Sequence, residues 1–520
     1  MNRHGRKKLM SAIIMLCLAF TLLVGCKKTE NNPPSTNGTG TENNKETPSA
    51  ENPKEKKKDV VLRIFNAKGE NALQFEAMCE AYSEETGVTV EPFSIGSGTN
   101  ALELLRVQMS TKNPPAIYSI KGLTELPEWK ESGSVLDLST VTNETFAQIV
   151  KDIPESMRLS TDGQESLGIP FNVEGYGYMV DVQMLGDLFG AENGVKVLAD
   201  LRICTFEEFA AFVETVDAYI AAPSGSDVTL NGNTYTLQSE KTGRASNLTG
   251  VFAFAGSEKW TYGDHSLNTI LNMVFNSAGE AKAIKEEQYE QLRAPLTAYM
   301  KNLDMVTSHV AGLEEHGSRG SELINSATFG YDQSIQAYGD GKALFLQQGN
   351  WAALNIENVS QEVASRSSFI PVKMPITSDM LQTGKTVEEF NNSIPVYVPN
   401  YYAINSKVLA EEQEAVIEFL NWLSKPENIQ KYVIDEFKSI PYNADSSYTI
   451  ADSYSQSIIT YMDEGRFLSN PYMGVPKPWI RDVIASKVME EYLTKKDWTE
   501  EDINALVEHG IAGLKELNNQ

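Results

Sequence analysis

Hydrophobic and polar positions alternate with two distinct periods along the chain. Val60 to Phe65 is apolar except at Arg63, which fits a strand buried on both faces. Residues 71–85 carry helical spacing, Thr86-Gly87 closes that helix, and Val88 to Phe93 resumes an extended pattern. A strand, a crossover helix and a second strand predict an α/β unit with a parallel sheet. Helical patterns recur at residues 99–111, 205–221 and 411–424, and from Trp498 to Leu517. In the third of these, Val416, Phe419, Leu420 and Leu423 form a 0, 3, 4, 7 stripe before Pro426. Val228 to Leu237 alternates around Asn231-Gly232, which predicts a tight hairpin, expected to be a surface insertion. No internal repeat is evident.

The N-terminus obeys a different pattern. Arg3, Arg6, Lys7 and Lys8 precede an apolar run from Leu9 to Val24, too short for an ordinary membrane span and closed by Gly25-Cys26. Residues 1–25 therefore read as a secretory signal peptide. Leu23-Val24-Gly25-Cys26 resembles a bacterial lipobox, which implies cleavage before Cys26, lipidation of its thiol and an extracytoplasmic body held to the membrane. From Lys27 to Lys58 there is no aromatic residue and no Val, Ile, Leu or Met, so residues 26–58 are expected to form a disordered tether.

Composition narrows the function classes. The chain has 520 residues, 70 acidic against 44 basic, and a formal charge of −26. A surface so acidic would repel a polyanion, which argues against nucleic acid as a partner. Cys79 shares a helical stripe with Phe75, Met78 and Tyr82, so it reads as a buried, inert thiol, and a bridge to Cys204 is not expected. His265, His309, His316 and His509 lack the spacing of a zinc site, so no metal or other cofactor is expected. Ile95-Gly96-Ser97-Gly98-Thr99 matches neither a nucleophile elbow nor a phosphate loop, and no catalytic residue is assigned.

Four segments place aromatic rings beside Gly, Asn, Asp or Glu: Ile169 to Tyr178, Ser257 to Asp264, Gly339 to Trp351 and Pro471 to Trp479. That mixture suits sugars, whose C–H faces stack on rings while carboxylates and amides take the hydroxyls. With these segments in view, the stretch from about Val60 to Asn443 resembles the extracellular solute-binding proteins of bacterial ABC sugar importers, the maltose-binding-protein-like family. Gly341-Lys-Ala-Leu-Phe-Leu-Gln-Gln-Gly-Asn-Trp351 is similar to the family's G-K-A-A-M … G-x-W segment, and Gly168 to Glu174 to its first interlobe crossover. Tyr402 to Asn405 and Ser439 to Tyr442 are similar to the second crossover and the return, with Ser439 in place of Gly. Asn113-Pro-Pro-Ala116 resembles G-x-x-P-D but replaces its Asp with Ala116.

The resemblance implies a two-lobed clamp with a ligand cleft and a three-strand hinge. Lobe one would comprise 59–171 and 400–440, lobe two 172–399 and 441–520. It also implies a monomer that captures a carbohydrate, an oligosaccharide by preference, and passes it unchanged to an ABC permease in the membrane. Trp351 is the expected stacking platform, with Trp260, Tyr262 and Trp479 as further walls. Glu174, Asn172 and Asp264 are expected to meet hydroxyls, and Ser97, Thr99 and Asn100 to form a polar lip, unless Thr99 only caps the following helix. A surface glycoside hydrolase, or a binder of a peptide or polyamine, would share some of these features. A hydrolase would release new reducing ends where a binder releases none.

Overall fold

A computed structural model describes residues 60–96, 100–161, 163–445 and 447–519. The signal segment, Cys26, the tether, Ser97 and Thr99 lie outside the described residues.

The first sheet is built on the predicted α/β unit. Val61–Asn66 (β1) pairs in parallel with Thr89–Ser94 (β2) and with Ile117–Ile120 (β3). The helix between β1 and β2 spans Ala72–Thr86 and buries Phe75, Met78, Cys79 and Tyr82, the stripe read from the sequence. Gly87 ends it with φ +77°, in the left-handed region that glycine adopts without a Cβ penalty, and its N–H bonds Ser83 O at 2.9 Å.

Two later segments complete this sheet. Ile169–Pro170 (β4) forms one edge, and Tyr401–Ile404 (β12) lies between β3 and β4, antiparallel to both, giving the order β2-β1-β3-β12-β4. The helix Ala410–Leu423 follows β12 and turns Val416, Phe419, Leu420 and Leu423 inward, as its spacing predicts.

The second sheet centres on Glu174–Asp181 (β5), every residue of which is buried. Ala343–Gly349 (β9) flanks it on one side, with Gly250–Ala253 (β8) beyond. Ser367–Ile370 (β10) and Ile394–Tyr397 (β11) pair along its other side, with Phe467–Leu468 (β13) beyond β11. Gly177 in β5 has no room for a side chain, because a Cβ there would overlap the Ile370 carbonyl of β10. Around this sheet pack the helices Phe206–Ala221, Arg293–Ser308 and Glu500–Asn518. Thr205 with Glu208, and Thr499 with Asp502, open the first and third of these with capping boxes.

The predicted hairpin is Asp227–Leu230 (β6) and Asn233–Thr236 (β7), turning at Asn231 (φ +49°) and Gly232 (φ +78°), both positive as a type I′ turn requires. It lies at the surface as expected, with Asp227, Thr229, Asn233 and Thr234 exposed, but its other face is packed. Val228, Leu230 and Tyr235 are buried in the large apolar cluster, and the Tyr235 hydroxyl donates to Asp200 at 2.6 Å. Alternation buries every second residue of a two-stranded ribbon, and that face is used here for packing.

The chain passes between the sheets at three places. Residues 171–173 link β4 to β5, residues 398–400 link β11 to β12, and the third passage runs through Ile440. Backbone bonds tie these passages to one another: Phe171 N–H to Asn400 O at 2.9 Å and Val173 N–H to Ile440 O at 2.7 Å. The carboxyl ends of the parallel strands β1 and β3 deliver Lys68, Glu70 and Lys121, and the second half meets them with Glu174, Asp264 and Arg481.

Candidate functional site

A cluster of rings forms at the end of the second sheet that meets Lys68 of the first. His265 lies at its centre, with its ring centroid 4.6 Å from Tyr176, 4.9 Å from Trp351 and 5.1 Å from Trp260. Tyr331 packs against Trp260 at 5.7 Å, and Tyr397 stands edge-on to Tyr176 at 6.1 Å. Strand geometry explains part of the grouping: Tyr176 on β5 pairs with Gly349 at the end of β9, and Trp351 follows two residues later. A Cβ at position 349 would overlap the Trp351 indole, so this glycine is what lets the ring fold back over the strand end. The indole N–H then donates to Gln348 Oε1 at 2.9 Å, and Trp260 donates to Glu258 Oε2 at 3.1 Å.

His265 closes a π-helical turn, Thr261–His265. Its imidazole is buried, and burial lowers its pKa to about 3, so it is neutral at physiological pH. Its carbonyl accepts the Tyr176 hydroxyl at 2.9 Å, and that hydroxyl in turn accepts Asn268 Nδ2 at 2.9 Å. Nδ1 of His265 is buried with no hydrogen-bond partner among the described residues.

Charged groups surround the rings. Lys68 Nζ bonds Glu174 Oε1 between the two sheets, and both side chains are largely buried. Asn172 Nδ2 donates to the same Glu174 oxygen and to Ser439 Oγ, each at 3.2 Å, while its own Oδ1 is buried and unpartnered. Asn66 orders the approach to Lys68, accepting the Lys68 N–H at 3.0 Å and donating to Asn71 Oδ1 at 3.1 Å. Burial raises the Glu70 carboxyl above the ordinary carboxylate range, with nearby Lys68 opposing the shift. Arg481 grips both oxygens of Asp264; burial pushes that carboxyl up, but the guanidinium more than offsets it and holds the pKa low. Lys477 reaches Glu125 at 3.7 Å, a second ion pair from one half of the molecule to the other.

The structure therefore brings Trp351, Trp260, Glu174, Asn172 and Asp264 into one neighbourhood between the two sheets. It separates two other expected walls from them. Trp479 is fully buried in the large apolar cluster, its indole N–H donating to Gly510 O at 2.7 Å. Tyr262 is interior as well, stacked on Phe254 at 5.9 Å with its hydroxyl on Gly256 O at 3.2 Å. Both belong to the large apolar cluster packed around the second sheet. Asn100 is exposed and precedes the helix Ala101–Met109, where its side chain makes no capping bond.

His265, Tyr176, Tyr331, Tyr397, Lys68, Lys121 and Arg481 were not singled out from sequence. A signal existed for the lysines, since Lys121 directly follows β3 and Lys68 lies two residues after β1, and the carboxyl ends of parallel strands face the ligand in open α/β sheets. The rings meet only through pairing of segments distant in the chain. Among the described residues no group of three or more His, Cys, Asp or Glu is placed to hold a metal, and no helix is long and apolar enough to cross a membrane.

Solved structures share this architecture. A chitin oligosaccharide binding protein aligns with a TM-score of 0.58 at 15% identity, covering 88% of this chain and 99% of its own. RafE in complex with raffinose gives a TM-score of 0.58 at 17% identity, covering 88% and 100%. A sugar transporter protein from Bacillus licheniformis in complex with stachyose gives 0.56 at 14%, covering 88% and 100%. At these identities the likeness concerns the two-lobed α/β fold. No curated protein sequence matches the chain. The model of the bacterial extracellular solute-binding proteins matches residues 77–456, well over half the chain, and the chain belongs to that extracytoplasmic family.

Proposed function

We propose that the protein captures a carbohydrate, an oligosaccharide by preference, in the crevice between its halves and delivers it unchanged to an ABC importer permease. The observation that carries this reading is the ring cluster of Trp351, Trp260, His265 and Tyr176 bordered by the carboxylates of Glu174 and Asp264. Flat apolar faces beside fixed hydroxyl acceptors match the two sides of a pyranose ring. The structural relatives named for chitin oligosaccharide, raffinose and stachyose support the same substrate class.

In this reading Trp351 is the platform, Trp260 its neighbour, and Glu174, Asn172 and Asp264 take hydroxyls. Lobe one comprises 59–171 and 400–440, lobe two 172–399 and 441–520. Closure of the lobes on the sugar shifts an open–closed equilibrium that the permease senses. Lipid on Cys26 and the tether that follows keep a monomeric clamp near the transporter at high local concentration.

A thermal-shift and calorimetric screen against mono- and oligosaccharides tests the reading, with reducing-end release measured on the same mixtures. Saturable binding with no new reducing ends is expected. Hydrolysis, or indifference to every saccharide, overturns it.

A further inference from the structure

A cavity lies in the first half of the molecule, and no residue of the ring cluster lines it. Its walls come from three neighbouring segments. The helix Glu144–Asp152, opened by Asn143 whose Oδ1 accepts the Phe146 N–H at 3.0 Å, turns Ala147, Val150 and Lys151 to one side, as their spacing of three and four dictates. The turn Leu138–Thr140 brings Ser139, and the loop that runs on into β4 brings Arg158 and Ser166. Backbone bonds fix that loop. Leu167 N–H to Leu159 O at 2.8 Å closes its two limbs on each other, and Leu138 N–H to Ser166 O at 2.8 Å ties it to the turn. The cavity encloses about 230 Å³, far above the ~15 Å³ that admits one water.

The polar groups of this cavity suit an anion. Arg158 and Lys151 line it and no carboxylate does, in a chain with 70 acidic residues against 44 basic. Neither cation enters an ion pair among the described residues, and Arg158 Nε is buried with no hydrogen-bond partner. Ser166 is only 3% exposed, and its Oγ is buried without a partner as well. The nearby acids are already engaged. Asp137 Oδ1 accepts the Ser139 N–H at 3.0 Å, the Ser139 hydroxyl at 2.8 Å and the Ser166 N–H at 3.1 Å, while Glu165 is held by Lys130 at 2.6 Å. A buried donor without an acceptor is costly, and one guest with several oxygens would relieve both of them.

We propose that this cavity binds a tetrahedral oxyanion, a phosphate or sulfate group. The donors stand on different walls, Lys151 on the helix face and Arg158 and Ser166 on the two limbs of the loop. A carboxylate offers two oxygens in one plane, whereas a tetrahedral group offers acceptors toward every wall. The guanidinium of Arg158 supplies a fork, the exposed Lys151 a point charge and Ser166 a neutral hydroxyl. Ala147 and Val150 add an apolar wall, so the group fits either as the free ion or as the ester of a small molecule. This site is separate from the saccharide crevice and stands or falls without it.

The test is calorimetry on the purified protein in dilute Tris chloride, with inorganic phosphate, sulfate, glycerol phosphate and acetate as probes. At least one of the three tetrahedral oxyanions should bind saturably at a single site, with acetate at least ~tenfold weaker. Tighter binding of phosphate or sulfate identifies the free ion as the guest, and tighter binding of glycerol phosphate identifies the ester. Arg158→Gln should weaken that binding at least ~tenfold and Ser166→Ala ~threefold, with ligand-free melting temperatures close to wild type. Lys112→Gln, which removes an exposed cation outside the cavity, should leave the affinity within about twofold. If Arg158→Gln does not fold, Lys151→Gln decides, because that side chain is exposed and is expected to be dispensable for folding. Absence of saturable binding below ~10 mM for all three oxyanions overturns the proposal. So does undiminished affinity in the deciding variant, or acetate binding as tightly as phosphate.

Discussion

Gly349 and Trp351 occupy one space, in that a Cβ on the first would overlap the indole of the second. The backbone at Gly349 has φ −117° and ψ 179°, which any residue adopts, so the demand for glycine is set by the ring alone. Gly349→Ala should therefore displace the indole without straining the strand. The expected outcome is a loss of saccharide affinity close to that of Trp351→Ala, at least ~1 kcal/mol in each case. Calorimetry on both variants, beside their melting curves, checks it. Unchanged affinity in Trp351→Ala would remove the platform from the site.

The pH dependence of stability carries the signature of His265. Unfolded, this group takes up a proton near pH 6.5; folded, it does so only near pH 3. Between those values the unfolded chain binds the extra proton, so its contribution to stability is intact above pH 6.5 and declines as the pH falls. The slope is at most ~1.4 kcal/mol per pH unit. Urea denaturation at pH 7 and pH 5 should show His265→Gln losing less stability on acidification than the wild type. Equal losses would mean that the imidazole is hydrated in solution.

Lys68 and Glu174 form a buried ion pair that joins the end of β1 to the start of β5. Lys68→Met leaves the carboxylate with Asn172 alone and is expected to destabilise the protein by ~3 kcal/mol. Adding Glu174→Gln should recover part of that loss, because the stranded charge is removed. A double-mutant cycle from denaturation curves measures the coupling, and additive effects would show that water already screens the pair.

Both described cysteines are buried and unpaired. Burial pushes the Cys79 thiol up to about 12 and the Cys204 thiol up to about 11, so neither offers thiolate at neutral pH. A thiol reagent at pH 8 should leave both untouched in the folded protein and titrate both in denaturant. Rapid modification of either one in the native state would place it at the surface.

Local pattern carried much of the fold. The Ala72–Thr86 helix, its glycine stop, the strands on either side and the Phe206–Ala221 helix with its capping box are short-range consequences of spacing and turn chemistry. The hairpin turn at Asn231-Gly232 was legible for the same reason, but what its apolar face packs against was not. The site divides along similar lines. Trp351 and Glu174 sit in segments whose motif could be read, whereas Trp479 and Tyr262 sit in equally suggestive segments and face the interior. A ring beside a glycine looks alike in sequence whether it lines a crevice or fills a core. The spacing of His265 argues against a zinc site and says nothing more, because its role as a hub depends on β5, β9 and the Thr261–His265 turn arriving together.

The order of the first sheet bears on how the chain folds. Strand β12 sits between β3 and β4, yet it follows both by hundreds of residues. Until Tyr401–Ile404 is in place, β3 keeps an open edge. Neither sheet region can finish without most of the chain that builds the other. A partly folded molecule therefore exposes an adhesive apolar strand, and only rapid completion of the sheet keeps it from pairing with its neighbours.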